Sequence, residues 1–527
     1  MRTRIVPLLL VLCLLLCGVA CSETQEAEPV VQETTLSMPD PTPAVTPAPT
    51  PVVTPSPTPI TVGGSFAENG VLRAVVEADD FALIEQIEGL TTLDVTGSVC
   101  YDAILAYRSA HPSVNVIYSV QIGDASVSSD AQDATVPRVP DSSLLSYLPA
   151  LEKLTVTKPM TPEEAAAVLE TRPDVDFAYS VSAAGMTFSH DLEKLDLSKV
   201  SPALSGEIAE ALAVLPNLAD VELNRADGSS DWTLSDAKPL MDANKTARVN
   251  LTVTVFGKTF SLTDDVVSFS GIRMTPEQKE ELIALLPYLR SVGRLDLENC
   301  RLPDEELAAL RAEYPSPKIV WRVNVGRYSC RTDSKMIRFS LSYLYPVLTD
   351  DDTKGLTYCN EVRYLDLGHN KIQDAYFVAY MPDLEVCILA IQEPTDISAF
   401  ANCKHLEYAE LFHGRISDVS ALASCTELHH LNLCMNHITD ITPLYGLTNL
   451  ERLWISQNPI PPEQIEKFKE LVPNCVVNTT AEDPTLNEWR FENGKSGKPC
   501  ARYALLQKQF AYSKMLTSSV DLPDQTP

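Results

Sequence analysis

Apolar residues recur in this chain at a fixed interval. Leu367, Leu389, Leu411, Leu433 and Ile455 stand 22 residues apart, and so do Val362, Leu384, Leu406, Leu428 and Leu450. Polar positions keep the same register. Asn370, Gln392, Gly414, Asn436 and Asn458 form one column, and Asp374, Asp396, Asp418 and Asp440 another. A fixed period with fixed residue types predicts one supersecondary unit stacked on copies of itself and sharing a continuous core. Inside each turn the order Leu-x-x-Leu-x-Leu-x-x-Asn predicts a short strand, with its leucines inward and the residues between them outward. The Asn side chain is expected to satisfy backbone groups where the chain turns off the strand. Stacked in this way, the strands make a parallel sheet on the concave side.

Upstream the interval lengthens and helical patterns enter. Leu195 to Val221 is 26 residues, and Phe269 to Leu297 is 28. Residues 206–215, 275–286, 161–169 and 303–310 read as helices. Thr275-Pro276-Glu277 carries a helix-start signature, a capping hydroxyl followed by proline and an acid. A larger unit overlies these turns. Val120, Val181, Val253 and Val323 are each followed within four residues by a glycine, at 123, 185, 257 and 326. From the last three valines the next strand lies 16 residues on, too close to hold a helix. A strand, a glycine turn and a return strand fit that length. The glycines are 62, 72 and 69 residues apart, so four duplicated units are expected over residues 84–345.

The first residues predict an address. Arg2 and Arg4 precede an apolar run over residues 5–20, too short for a confident membrane span and typical of a secretory signal. It ends in Gly18-Val19-Ala20-Cys21, which resembles a bacterial lipoprotein signal and implies lipidation of Cys21. Gly18 departs from that motif, which usually has an aliphatic residue there, and simple secretion is the alternative. Residues 22–64 are polar and proline-rich and cannot make a packed core. As an extended polyproline stretch, the chain between residues 39 and 59 would reach roughly 65 Å. The expected division is therefore a signal over 1–20, a disordered Pro/Thr-rich stalk over 21–64, long degenerate repeats over 65–345, regular repeats over 346–478, and a C-terminal cap and tail over 479–527.

The 22-residue block, with Ser417-Asp-Val-Ser-Ala-Leu422 and Thr439-Asp-Ile-Thr-Pro-Leu444 in its second half, resembles the internalin-type leucine-rich repeat over residues 356–462. Ala409 and Pro394 are single departures. The upstream turns resemble the longer, helix-bearing repeats of the ribonuclease-inhibitor kind. These resemblances imply an α/β leucine-rich-repeat solenoid, a curved parallel sheet with helices and loops on its convex side. They also imply a binding role rather than catalysis, with adhesion to another cell's protein as the natural case. A glycan-binding envelope lipoprotein is the alternative.

Charge and cysteine content narrow the partners. The formal net charge is −30, and removing Arg2 and Arg4 with the signal makes it −32. Nucleic acid and anionic membrane surfaces are poor partners for such a chain. Of 13 cysteines, Cys13, Cys17 and Cys21 belong to the signal. Cys359, Cys403, Cys425 and Cys387 fall in core columns and read as small hydrophobes, while Cys475 and Cys500 are candidates for a bond closing the C-terminal end. No cysteine or histidine spacing suggests a metal, and no catalytic or phosphate-binding motif is present. Asp350-Asp351-Asp352 half-matches a calcium loop but reads better as a solvated acidic turn, because Lys354 stands where an oxygen donor should be.

The outward strand positions are the candidate site. Three columns follow from alternation: Tyr364, Val386, Tyr408, His430, Arg452; Asp366, Ile388, Glu410, Asn432, Trp454; and Gly368, Ala390, Phe412, Cys434, Ser456. The core of the turns does not require these aromatics, so they suggest a contact surface. Tyr364, Ile388, Tyr408, Glu410, Phe412, His430, Asn432, Arg452 and Trp454 are its expected ligand contacts, for a protein or a glycan, with no cofactor. The competing reading is that upstream turns, the cap or the stalk cover this face. Trp489, Phe491, Tyr503, Phe510 and Tyr512, with Arg490, Lys495, Lys498, Arg502 and Lys508, read first as an aromatic cap on the stack and second as a basic-aromatic binding tail.

Overall fold

The computed structural model describes residues 59–340, 347–486, 488–492 and 497–512. The signal, Cys21 and almost all of the proline-rich linker lie outside the described residues. The folded unit begins at Ile60, slightly before the boundary expected at residue 65. A two-residue turn at Gly63-Gly64, with φ of +56° and +80°, joins the strands Thr61–Val62 and Ser65–Phe66. A Cβ at Gly63 would lie 2.4 Å from the Val75 carbonyl oxygen, so only glycine fits there.

That hairpin opens a pattern the chain then repeats. A two-stranded antiparallel hairpin is followed by three short parallel strands, with helices on the return paths. Among the described residues there are five such hairpins and four three-stranded sheets. Each glycine singled out above sits in a hairpin turn, as between Ser180–Ala183 and Met186–Ser189 or between Thr252–Val255 and Lys258–Ser261. The first hairpin adds a unit start at residue 61, where the spacing of glycines placed it no earlier than 84. Each hairpin interrupts the parallel ladder, so the strands do not form one unbroken sheet. The core does not share that interruption, because one apolar cluster runs from Val62 to Val472.

The helices follow their local sequence. Pro162–Thr171 starts with a reciprocal capping box between Thr161 and Glu164, and Pro276–Leu285 with one between Thr275 and Gln278. Ser205–Leu212 and Asp304–Glu313 lie where the periodicity put them. Tyr101–Ala110, Leu234–Ala243 and Pro462–Leu471 went unread. Pro239 inside Leu234–Ala243 argues against a helix. The Thr233/Asp236 capping box and the burial of Ala237, Leu240 and Met241 hold it nonetheless.

The 22-residue turns form a seven-stranded parallel sheet that begins with Met336–Arg338 and ends with Val476–Asn478. Its register repeats the sequence period, with Leu365, Cys387, Ala409, Leu431 and Leu453 side by side. Each polar column has a structural task. Asn436 donates through Nδ2 to the carbonyls of Leu411 and Leu433, both at 2.9 Å, while its Oδ1 accepts from Ile416 N at 3.1 Å. Asn370 and Asn458 repeat these bonds one or more turns away. Gly414 breaks the column because a Cβ there would meet Asn436 Oδ1 at 2.8 Å and the Pro394 ring at 3.0 Å. The Asp column caps 3₁₀ helices on the return path, as Asp396 accepts from Ser398 N and Asp418 from Ser420 N, each at 2.8 Å. Just before each ladder residue the backbone is left-handed, at His369, Ile391, His413, Met435 and Gln457. That column makes the turn off the strand. Ile391, which is β-branched, is the costly member.

Candidate functional site

The sheet's outward positions are covered by the chain's own C-terminal segment. After Val476–Asn478 the chain doubles back across the strands in reverse order. Ser456 Oγ donates to the Ala481 carbonyl at 2.9 Å, and Asn432 Nδ2 to the Pro484 carbonyl at 2.8 Å. Trp489 and Arg490 then reach Glu410, and Tyr512 reaches Asp366. The helix Ala501–Gln509 lies between these last two contacts in sequence and packs Leu506 into the covered face. Arg338, on the first strand, donates to the carbonyls of Phe510 and Ala511 at 2.7 and 2.9 Å. The segment thus spans the face from the sixth strand to the first.

Glu410 is the centre of this contact. It is fully buried, and its carboxylate receives Trp489 Nε1–H at 2.8 Å, Arg490 Nε–H at 3.0 Å, a second bond from Arg490 Nη2, and the Tyr408 hydroxyl. Burial alone would raise its pKa. The Arg490 charge and these donors outweigh burial and hold it below the usual glutamate value. Asp366 is buried too and accepts from Tyr512 at 2.7 Å and Ser340 at 2.8 Å. Among the described residues no guanidinium bonds to it, and burial wins, so its pKa is raised.

Aromatic rings surround the ion pair. Trp489 lies 5.4 Å from Tyr408 and 5.3 Å from Trp454, centroid to centroid, and edge-on to His430 at 6.2 Å. Phe510 meets Tyr364 edge-on at 6.4 Å. The Arg490 guanidinium sits 5.8 Å from the Phe412 ring and 5.2 Å from Tyr503. Burial, together with Arg452 and Arg502, depresses the His430 pKa to about 4.

Of the nine residues expected to contact a ligand, Ile388, Tyr408, Glu410, Phe412, Asn432 and Trp454 are buried, and Tyr364, His430 and Arg452 are partly covered. The expectation that these positions stand open is corrected, while the solenoid's own core still does not include the four apolar ones, Ile388, Tyr408, Phe412 and Trp454. Ile388, Tyr408, Phe412 and Trp454, with Tyr364 packed against them, form a second apolar cluster with Ala481, Trp489, Leu506 and Phe510, distinct from the solenoid's own. The physical reason is mass balance on the surface: an outward stripe this apolar costs too much in water when a complementary segment is tethered beside it. The reading in which a cap covers the face is the one the structure adopts. Its signal in sequence was the composition of residues 489–512, which hold five Lys or Arg and one acid in a chain of net charge −30.

One smaller expectation also changes. Cys475 and Cys500 are free thiols, the latter donating to the Glu488 carbonyl at 3.0 Å, so no bond closes the C-terminal end. The Asp350-Asp351-Asp352 turn faces solvent as expected, with the Asp351 side chain 91% exposed, and Asp350 in it accepts from Gln373 N at 2.8 Å and Asp374 N at 3.1 Å. Among the described residues no group of three His, Cys, Asp or Glu side chains could hold a metal ion, and no helix is long and apolar enough to cross a membrane. Upstream, outward positions are open or partly covered, except Asp296 and Val320, which are buried. Lys194, Asp196, Asp220, Glu222, Arg248 and Asn250 line a hollow of about 390 Å³ on one three-stranded sheet.

Residues 426–470 match the leucine-rich-repeat family in its two-copy form. No curated protein matches the chain. Among solved structures, internalin C2 of Listeria monocytogenes is 21% identical over 29% of this chain and 76% of that one, with a TM-score of 0.23. A second internalin from that organism is 17% identical over 73% and 91%, with a TM-score of 0.23. A leucine-rich-repeat protein of Leptospira interrogans is 16% identical over 75% and 91%, with a TM-score of 0.25. The asparagine ladder, the one-strand turns and the family match together make this a leucine-rich-repeat fold.

Proposed function

We propose that this protein is a lipid-anchored surface protein of a bacterial cell membrane that binds a protein ligand through the concave face of residues 356–460. One observation carries the reading: that face accommodates a polypeptide segment, gripping it by an aromatic shelf and a buried acid. Binding is by complementarity, without bond-making chemistry. Lipid on Cys21 holds the chain and the proline-rich stretch spaces it from the membrane, as Gly18-Val19-Ala20-Cys21 and residues 22–58 suggest. The ligand engages when the C-terminal segment is off the face. A glycan ligand is less well supported, because Tyr408 and Trp454, the rings it would stack on, are matched to the indole of Trp489.

The test places a photo-crosslinking amino acid at Tyr364 or Arg452, on the rim, and at Lys194 as a control, and exposes the protein to cell-surface extracts. Crosslinks from the rim positions to one protein are expected. Crosslinks from position 194 alone would move the site upstream and contradict the proposal. For the anchor, incorporation of a clickable fatty acid should vanish in Cys21→Ala; unchanged labelling would rule out lipidation at that cysteine.

A further inference from the structure

We propose that the C-terminal segment is an internal pseudo-ligand: the concave face is a groove for a turn-forming peptide presenting an arginine beside an aromatic residue, and Trp489-Arg490 fills it until such a peptide takes its place. The inference rests on the concave-face reading above and adds the ligand's chemistry and the gate.

Four observations converge. First, the solenoid is complete without the segment. Leu365, Leu431 and Leu453 belong to the continuous core, whereas Tyr408, Phe412 and Trp454 belong to the separate cluster under the segment. Releasing the segment uncovers a face without opening the core. Second, the contact is built like a protein–protein hot spot and unlike a solenoid turn. Tryptophan, tyrosine and arginine dominate it, with a buried acid at the centre and a water-excluding rim.

Third, the charges are complementary. Residues 489–512 carry five basic side chains and one acidic, and the face meets them with Glu410, Asp366 and Glu407, the last 3.0 Å from Arg502. Glu410 selects a guanidinium in particular. Its two oxygens take Nε and Nη2 of one arginine side by side, a fork that lysine lacks. Fourth, the fit is incomplete. Among the described residues Trp454 Nε1 and His430 Nδ1 are buried with no hydrogen-bond partner. A peptide that offers an acceptor to the Trp454 indole N–H and a polar partner to His430 Nδ1 binds better than the segment does, and this is the margin by which it displaces a tethered competitor. The tether itself is simple: Thr479 and Thr480 are exposed and connect the last strand to Ala481.

The experiment keeps the whole chain and replaces Thr479-Thr480 with a protease site. After cutting, a fluorescent peptide of residues 481–512 is added and its anisotropy followed. The expected result is exchange, with the cut fragment released, and a peptide carrying Arg490→Gln binding at least tenfold more weakly. In protein carrying Glu410→Gln that ratio should fall toward one. If this variant fails to fold, the Arg490→Gln and Trp489→Ala peptides on unaltered protein still decide the matter. A fragment that never exchanges would make the segment a fixed part of the fold and overturn the inference. Equal affinity for the Arg490→Gln peptide would also overturn it. So would an uncut protein that runs as a dimer and collapses to a monomer on adding peptide, since the occupant would then be a second copy's segment.

The rim crosslinking described above separates this inference from the reading it rests on. Arginine-dependent exchange with no surface protein captured leaves the groove chemistry standing and sinks the functional reading. Capture at the rim with no arginine dependence does the reverse.

Discussion

The strands of residues 71–320 and those of residues 336–478 share one geometry and treat their outward positions in opposite ways. Upstream, outward side chains such as Lys153, Asp176, Lys194 and Arg248 are exposed. They pair loosely, with Lys153–Asp176 at 3.8 Å and Lys194–Asp220 at 4.0 Å. Downstream, the strands Val386–Ile388 and Tyr408–Glu410 are buried on both faces. The backbone is not the cause, since both sets of strands are short and parallel. Side-chain chemistry is. A charged outward stripe is content in water, whereas an aromatic one needs a cover, and the cover here is polypeptide. The same repeat architecture therefore offers two kinds of surface, one open and one closed.

The strongest way to break that contrast is to remove its central charge. Glu410→Ala strands the Arg490 guanidinium in an apolar contact, a loss of about 3–5 kcal/mol from the covered state. Urea titration followed by Trp fluorescence should show an early transition for the segment, with the solenoid transition little changed. A single unshifted transition would contradict separate clusters. Asn436→Ala acts on the other core: it leaves Ile416 N and the Leu411 carbonyl without a partner, for about 1–3 kcal/mol, while the Leu433 carbonyl keeps its bond from Asn458 Nδ2. Here the solenoid transition should move.

Acid sharpens the contrast more gently. His430 has a folded-state pKa of about 4, below its ordinary 6.5, because burial and Arg452, Arg502 and His429 oppose its charge. The unfolded state binds that proton more readily, so stability is full above pH 6.5 and is lost as pH falls toward 4. Glu451, 3.8 Å from Nε2, softens the effect. Asp366, with its raised pKa, works in the opposite sense. Melting followed from pH 7 to 4.5 should show the loss, and His430→Gln should flatten it; an identical slope in the variant would contradict this assignment. The smallest effect belongs to the open region. Lys194→Ala removes a surface pair and should cost no more than about 1 kcal/mol. A larger loss of melting temperature would mean that the upstream face is also covered.

Much of the solenoid was legible because it is periodic. The columns of Leu, Asn and Asp each do one repeated task, and a repeated task leaves a repeated residue. The hairpins were legible from spacing, since 16 residues between a valine and the next strand leave no room for a helix. The left-handed column at 369, 391, 413, 435 and 457 was not, because His, Ile, Met and Gln share no chemistry that names the conformation. The helix Leu234–Ala243 hid behind Pro239. The covered face was half legible: alternation correctly placed Tyr408, Glu410, Phe412 and Trp454 outward from the turns. What covers them depends on contacts between residues about 80 apart, as in Glu410 with Arg490, and no local pattern encodes such a pairing.

Hydroxyl-radical footprinting of the full chain tests the central claim most directly, because it reads side-chain exposure residue by residue. Tyr380, 52% exposed on the return path of the same block, is the internal reference, against 2% for Tyr408 and Trp454. The expected result is strong labelling of Tyr380 and protection of Tyr408, Phe412 and Trp454, with the protection lost in Glu410→Ala. Labelling of those three at the rate of Tyr380 in the unaltered protein would mean that the face stands open, and would contradict the closed surface on which this account rests.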